Sequence, residues 1–459
     1  MSTWLQKYWE RLRASFWFLP SLMAVAAAAL AFAGVTLDEA FTDRLLSGFG
    51  WLYTGGAEGA SLVLSTVAGS MITIAGVVFS MTLVALSLAS SQLGPRLLRN
   101  FMRDTANQVV IGTFVATFVY CLLVLRTIRR ADEVAFVPHL SVTLGVVLAL
   151  ASLGVLIYFV HHVAMSIQVD VVVARVADEL FAGVERLFPR QVGDRSETAA
   201  KTARDEARAA AAFEGAGADV IADGDGYLQL VDAERLMRLA SEADVRIRLA
   251  VRPGHYVFRR QTLATVYPAE RGKRALLGEI RRVFVLGEQR TTAQDIEFAM
   301  LQLVEVAVRA LSPGINDPFT ALTCVDRLGS ALSRLGERDM PTPLRSDDQG
   351  VPRVLAPSPS LAALVGTALE PLRQHARADA LVTRRLLSTI ERLAPRFPVT
   401  GRAELLRQVA MIEHGVPATL QAMDRCIVAE ACEKARRALR TSRVDDNAAQ
   451  RSPATPEGR

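Results

Sequence analysis

The sequence predicts a mostly α membrane protein, with four transmembrane helices followed by a cytoplasmic α+β region that holds a small β-rich module and a C-terminal helical bundle. Three observations carry that prediction. Charge is unevenly placed along the 459 residues: residues 1–170 hold 10 Lys and Arg with 9 Asp and Glu, whereas residues 171–459 hold 42 with 38. Mean hydropathy is positive at +0.25, and all of the long uncharged stretches fall in the first half. Beyond residue 212 turn signals and two-residue alternation replace the helical period. Together these exclude a single soluble enzyme domain, a disordered polyelectrolyte and a small disulfide scaffold.

The expected parts are a four-helix transmembrane domain at 1–168, a helical extension of the last span at 169–212, a β-rich module at 213–290, a helical domain at 291–440 and a disordered tail at 441–459. The spans come from uncharged stretches at 14–37, 59–95, 105–125 and 134–169. Each exceeds the roughly 18–20 residues that cross about 30 Å of hydrocarbon. Ala31-Phe32-Ala33 in the first fits a signal-cleavage site, but the apolar core is longer than a signal core, so an uncleaved anchor is expected. Orientation follows from Lys7, Arg11 and Arg13 before span one and Arg96, Arg99 and Arg103 after span two. The loop between these spans carries Asp38, Glu39, Asp43 and Glu58 against Arg44. Both termini are therefore expected in the cytoplasm of a bacterial inner membrane, although Arg126, Arg129 and Arg130 after span three oppose that count.

Span two is too long for one perpendicular crossing, so it must tilt, break or protrude. Along it Ser65, Gly69, Thr73, Gly76, Ser80, Ser87 and Ser91 recur at spacings that keep them on one helical face. Small residues and hydroxyls of this kind form close helix seams. They also line narrow aqueous paths, and both readings stand, being compatible in an oligomer. No Asp, Glu, Lys or Arg lies within the apolar centre of any span, which disfavours proton coupling and voltage sensing. His161 and His162, at the end of span four, are one residue apart and point about 100° from each other, so they read as interfacial residues rather than a metal pair. His139 reads the same way.

In the soluble half, Val169, Val172, Val173, Val176, Leu180, Val184 and Leu187 mark an amphipathic helix running on from the last span. Asp223-Gly224-Asp225-Gly226 turns the chain into an alternating strand at 227–231, a helix is expected at 232–243, and strands follow at 245–249, 256–258 and 265–267. Arg252 to Val257 has the rhythm of biotinyl and lipoyl modules, but Lys273 is the only lysine near it, so no attached cofactor is expected. A strong helix is expected over 293–311, closed by Ser312-Pro313-Gly314-Ile315-Asn316, with Asp317 and Pro318 capping the next. An effector loop is the alternative for this segment, with Arg309, Asn316 and Asp317 converging on Asp295, Gln302 and Glu305. Residues 338–360 read as a loop or linker. No nucleophile–base combination emerges, so the protein is not expected to be an enzyme.

Cys121, Cys324, Cys426 and Cys432 form no C-x-x-C pair, which gives neither a zinc site nor a disulfide framework. The net charge of +5 is interleaved with acids and offers no nucleic-acid face. The expected partners are the lipid bilayer, further copies of the chain, and an ion or small solute, with no cofactor.

Residues 65–98 (STVAGSMITIAGVVFSMTLVALSLASSQLGPRLL), residues 119–126 with Phe136-Val137-Pro138-His139, and RALSPGINDP at 309–318 resemble a bacterial family of predicted inner-membrane proteins grouped as a domain of unknown function. The resemblance extends to about residue 430, supports the architecture and transfers no catalytic residue. The leading functional expectation is an oligomeric channel or conduit with span two lining the path and the soluble half regulating or assembling it. The alternative is a non-conducting scaffold or sensor whose soluble part binds a partner or ligand.

Overall fold

Long uncharged runs can satisfy their backbone polar groups in hydrocarbon only by forming helices. In the computed structural model, which describes residues 17–45, 53, 55–94, 105–129, 136–166, 168–188 and 213–451, they do so. Among those residues four helices are long and apolar enough to cross a membrane: α1 (Phe18–Leu45), α2 (Ala57–Leu93), α3 (Thr105–Thr127) and α4 (His139–Ser166). The basic flanks Lys7, Arg11, Arg13, Arg96, Arg99, Arg103 and Arg130 lie outside the described residues. The chain divides into two units, Met1–Val171 and Val172–Arg459.

In the first unit α3 packs against α1, α2 and α4. Half of its apolar window is buried, against 22–28% for the other three. Tyr120, Cys121, Val124 and Phe114 of α3 sit in two apolar clusters with Leu64 and Val78 of α2 and Val142 and Phe159 of α4. The 37 residues of α2 form one unbroken helix of about 55 Å, so of the ways to fit the bilayer, breaking is removed and tilting or protruding remains. The helix stops at Gly94, whose φ of 100° suits a residue without a side chain and whose N–H caps the Ser90 carbonyl.

The extension expected from span four is a separate helix. α4 ends at Ser166, Gln168 is non-helical, and α5 (Val169–Leu187) begins with its own turn. Its buried face, Val173, Val176, Leu180 and Val184, is the amphipathic one expected. Residues 189–212, where that helix was expected to continue, lie outside the described residues.

The α+β part of the second unit comprises β1 (Ala218–Ile221), β2 (Gly226–Val231), α6 (Ala233–Glu242), β3 (Arg246–Leu249), β4 (Tyr256–Val257), β5 (Thr262–Tyr267), α7 (Arg274–Arg281) and β6 (Phe284–Gly287). Its helical part begins with α8 (Ile296–Ala310) and α9 (Pro318–Gly336). The segment at 338–360 is not a plain linker, because β7 (Leu344–Ser346) and β8 (Pro352–Leu355) form an antiparallel hairpin within it. β8 then pairs in parallel with β3, Ile247 opposite Val354, giving the sheet β1-β5-β3-β8-β7 beside a second sheet, β4-β2-β6. The sheet is therefore completed from outside 213–290. Val220, Leu228, Leu236, Ile247, Leu263 and Ile280 are buried in its core.

The chain closes with α10 (Leu361–Ala376), α11 (Ala380–Leu393), α12 (Val399–Gly415) and α13 (Ala422–Arg451). α13 runs past Thr441, so the expected disordered tail is helical as far as Arg451. Ala, Arg, Asp, Asn and Gln can all continue a helix, and no proline interrupts before Pro453. Residues 452–459 lie outside the described residues.

Candidate functional site

The candidate site is the outer face of α2. The face that this helix gives to its own chain is the apolar row Leu64, Ala68, Met71, Ala75, Val78 and Ala85, all buried and stepping by three, four or seven residues. The row of Ser65, Gly69, Thr73, Gly76, Ser80 and Ser87 is exposed throughout. At about 100° per residue it is centred roughly 140° round the helix from the buried row. Ser91 belongs to the same row by sequence, but its side chain lies outside the described residues. The row is thus no seam between helices of the same chain, and a seam or a lumen between copies both stand.

Glycines separate the two faces in the same way. A Cβ on Gly34 of α1 would meet Ser141 Oγ at 2.8 Å, and one on Gly145 of α4 would meet Leu64 Cδ2 at 3.0 Å. These are positions where the four helices need a missing side chain to approach. A Cβ on Gly69 or Gly76 meets nothing within 4 Å. Hydroxyls beside them are closed onto their own helix: Ser65 Oγ donates to the Leu62 carbonyl (3.0 Å), Ser70 Oγ to Thr66 (2.8 Å) and Thr73 Oγ1 to Gly69 (2.8 Å). Such back-bonding lets a hydroxyl sit in a low-dielectric setting without an orphaned donor.

The exposed faces of the neighbouring helices have different chemistry. Leu22, Val25 and Phe32 of α1 and Val147, Leu150 and Ile157 of α4 are exposed and large, as lipid contact favours. α1 also exposes a small-residue row, Ala26, Ala29, Ala33 and Thr36, whereas on α2 the row is of glycine and hydroxyl, with Ile72, Val77 and Leu83 on its flanks.

A polar latch that the sequence reading missed holds one end of the unit together. Asp38 of α1 is buried and accepts from the Leu140 N–H (2.9 Å), the Ser141 N–H (2.9 Å) and Ser141 Oγ (2.7 Å), capping α4 from another helix. Tyr120 donates to the Ser141 carbonyl (3.0 Å), and His139 Nδ1 lies 2.6 Å from the Tyr53 carbonyl. In the sequence Asp38 reads as a loop charge, since nothing local signals a cap for a helix some hundred residues later. At the other end of α4, His162 stacks on Tyr158, with ring centroids 5.5 Å apart, while His161 is exposed. Among the described residues no three His, Cys, Asp or Glu side chains gather as a metal site.

The 312–318 turn behaves as a helix connector. Ser312 accepts from the Ile315 and Asn316 N–H groups through its carbonyl (3.0 and 2.9 Å), and the Asp317 N–H returns to Ala310 (2.8 Å). Asn316 takes φ of 51°, a left-handed conformation that Asn tolerates better than most residues. Asp317 caps α9 through Thr320, as its place before Pro318 predicts. Arg309 lies half-buried in the last turn of α8. Of the polar face expected to join this loop, Glu305 is half-buried, while Asp295 is buried as the cap of α8, which starts at Ile296, and is held by Arg290 at 2.7 and 2.9 Å. Gln302 is buried as well.

A family model matches residues 13–392, across all four spans and the 312–318 turn. The chain belongs to that family, described as Predicted membrane protein (DUF2254). The uncharacterized proteins Rv1290c of Mycobacterium tuberculosis and Mb1321c of Mycobacterium bovis are each 33% identical to this chain over 374 residues, covering 79% of it and 69% of their own length. No solved structure shows significant similarity. The family match stops before α12 and α13, short of residue 430 to which the resemblance was read.

Proposed function

We propose that this member of the family is a non-enzymatic, homo-oligomeric conduit of the bacterial inner membrane, in which the glycine and hydroxyl strip of α2 faces copies of itself across a narrow path. One observation carries the reading: an exposed strip of glycine and hydroxyl residues runs along a 32-residue apolar span. A lipid-facing surface gains nothing from such a strip, whereas close-approaching helices or a lumen do. No charged side chain interrupts α2 between Glu58 and Leu93, so passage of an ion or small solute would depend on width and hydroxyls rather than on titration. The basic flanks favour cytoplasmic termini, with the second unit regulating or assembling the pore.

A non-conducting scaffold is the second reading, favoured by the back-bonded Ser65, Ser70 and Thr73, which leave few hydroxyl donors for solvent. Proteoliposomes carrying the full chain separate the two. A conduit releases a trapped small ion, and Gly76→Leu or Ser80→Leu blocks release while Leu150→Ala on the lipid-like face does not. An intact oligomer with no flux under voltage, tension or varied pH supports the scaffold and ends the conduit reading.

A further inference from the structure

The second unit contains a cavity of about 320 Å³, within the size range of small-molecule sites. Its apolar wall is built from Leu236 and Met237 of α6, Leu249 and Val251 at the end of β3, Phe188 after α5, and Ile296 at the start of α8. A proline strap, with Pro341, Pro357 and Pro359, lies along one side, where the β7–β8 hairpin enters and leaves the sheet. A polar cluster at the start of α8 forms part of the lining. The Gln294 amide bonds both the N–H and the carbonyl of Val231 (3.0 and 3.1 Å), and Asp295 is held by Arg290.

Charge along this lining is unbalanced. Arg252 is neutralised by Glu297, with two bonds of 2.9 and 3.0 Å, and Asp295 by Arg290. Arg186 is engaged only by carbonyls, those of Thr292 (3.3 Å) and Ala293 (2.9 Å), which orient the guanidinium without cancelling its charge. Arg345 of β7 is exposed. Among the described residues neither Arg186 nor Arg345 makes an ion pair. An apolar chamber bordered by two exposed, uncancelled guanidiniums matches a molecule with an apolar body and one anionic end.

We propose that this cavity binds an amphipathic monoanion of medium-chain fatty carboxylate type, its chain against Leu236, Leu249 and Ile296 and its charged end at Arg186 and Arg345. A free fatty acid and an anionic lipid both present that chemistry. Neither binding step depends on conduction, so the inference stands or falls apart from the conduit reading.

The test is equilibrium dialysis of radiolabelled octanoate against the full chain in phosphatidylcholine nanodiscs, with empty discs subtracting partition into lipid and no detergent present to compete. Saturable binding of about one octanoate per chain is expected. Arg345→Glu, a surface change, weakens it about tenfold, the loss of one charge-assisted contact and its replacement by repulsion. Ala356→Trp, which narrows the chamber, abolishes it. Octanol and octylamine do not compete. Repeating the measurement in phosphatidylglycerol discs identifies the source: retained capacity assigns the site to a free carboxylate, and lost capacity assigns it to an anionic lipid. No saturable binding above empty discs in phosphatidylcholine, equal competition by octanol, or an Arg345→Glu variant that binds as the parent does overturns the proposal.

Discussion

Two aspartates show how much a single side chain contributes when it starts a helix. Asp295 and Asp317 each cap a helix of the second unit, but Asp295 is also locked by a two-bond ion pair with Arg290 and is almost fully buried, whereas Asp317 is half-exposed with Thr320 as its partner. Loss of a cap alone costs about 1 kcal/mol, and breaking a buried pair so that one charge is stranded costs about 3 kcal/mol or more. Urea unfolding of the second unit, followed in the full chain, should therefore show Asp295→Ala destabilising clearly more than Asp317→Ala. Asp317→Asn, which keeps a capping oxygen, should be close to neutral in stability. Were Asp317 an effector ligand, Asp317→Asn would alter function at unchanged stability, so the same variant separates connector from effector.

Arg353 supplies the pH-dependent counterpart. It donates to Asp244 Oδ1 (2.7 Å) and Asp347 Oδ2 (2.8 Å), and Asp347 in turn accepts from the Gln349 and Val351 N–H groups, closing the β7–β8 turn. The Arg353 hydrogen bond, with help from Arg271, holds the Asp244 carboxyl at about 2 against an ordinary 3.8. Arg353, followed by the Val351 N–H, also lowers Asp347. A carboxyl whose pKa is lower in the folded state gives stability that is complete above its unfolded value and is lost as pH falls through its folded one. The window for Asp244 runs from about pH 4 down to about pH 2. Its side chain is 65% exposed, so water screens its share and Asp347, 10% exposed, carries most of the effect. Arg353→Gln should lower the thermal midpoint at neutral pH and flatten its fall across that acid window. A parallel fall in parent and variant would remove Arg353 from the account.

At the scale of elements, α2 separates what the sequence states from what it leaves open. Length and absence of charge made the span legible, and periodicity made the glycine and hydroxyl row legible as a row. Which way that row points was not, because the helix carries a second periodic row, Leu64 to Ala85, and only packing against α3 and α4 decides which one turns inward. The β7–β8 hairpin was hidden for a different reason. Its strands are three and four residues long, rich in Arg, Ser and Pro, and β8 finds its partner in β3 more than a hundred residues earlier, so no local pattern marks it. The resulting contrast between glycines is measurable. Gly34→Val forces a Cβ against Ser141 and should lower the stability of the monomer and weaken the Asp38 latch beside it. Gly76→Val meets open space within the chain, so the subunit should fold with its usual thermal midpoint and show its defect only in the oligomer, as lost flux across a lumen or lost assembly at a seam. Native mass spectrometry and flux measurements on both variants read the effects separately, and an unchanged oligomer with unchanged flux in Gly76→Val would place the outer face of α2 against lipid.

For the whole molecule the decisive quantity is which side of the membrane each end occupies, and the chain carries its own reporter. Of its four cysteines Cys121, Cys324 and Cys432 are buried and only Cys426, on α13, is exposed. The thiols of Cys121 and Cys432 are shielded from a bulky reagent by packing, and burial also pushes Cys432 up to about 11, which suppresses the reactive thiolate. A membrane-impermeant maleimide should thus read Cys426 alone in the parent protein, without any substitution. With four crossings and the proposed cytoplasmic termini, labelling is expected in inside-out vesicles and absent in right-side-out vesicles. Glu58→Cys, at the exposed start of α2, should give the opposite pattern once Cys426→Ser has removed the parent signal, because one crossing separates that end from the N-terminus. The loop with Arg126, Arg129 and Arg130 makes this a demanding test, since its positive charge falls on the side the proposal calls external. Labelling of Cys426 from outside would show that this loop outweighs the earlier flanks, reversing the orientation and placing the second unit, with its cavity, on the far side of the membrane.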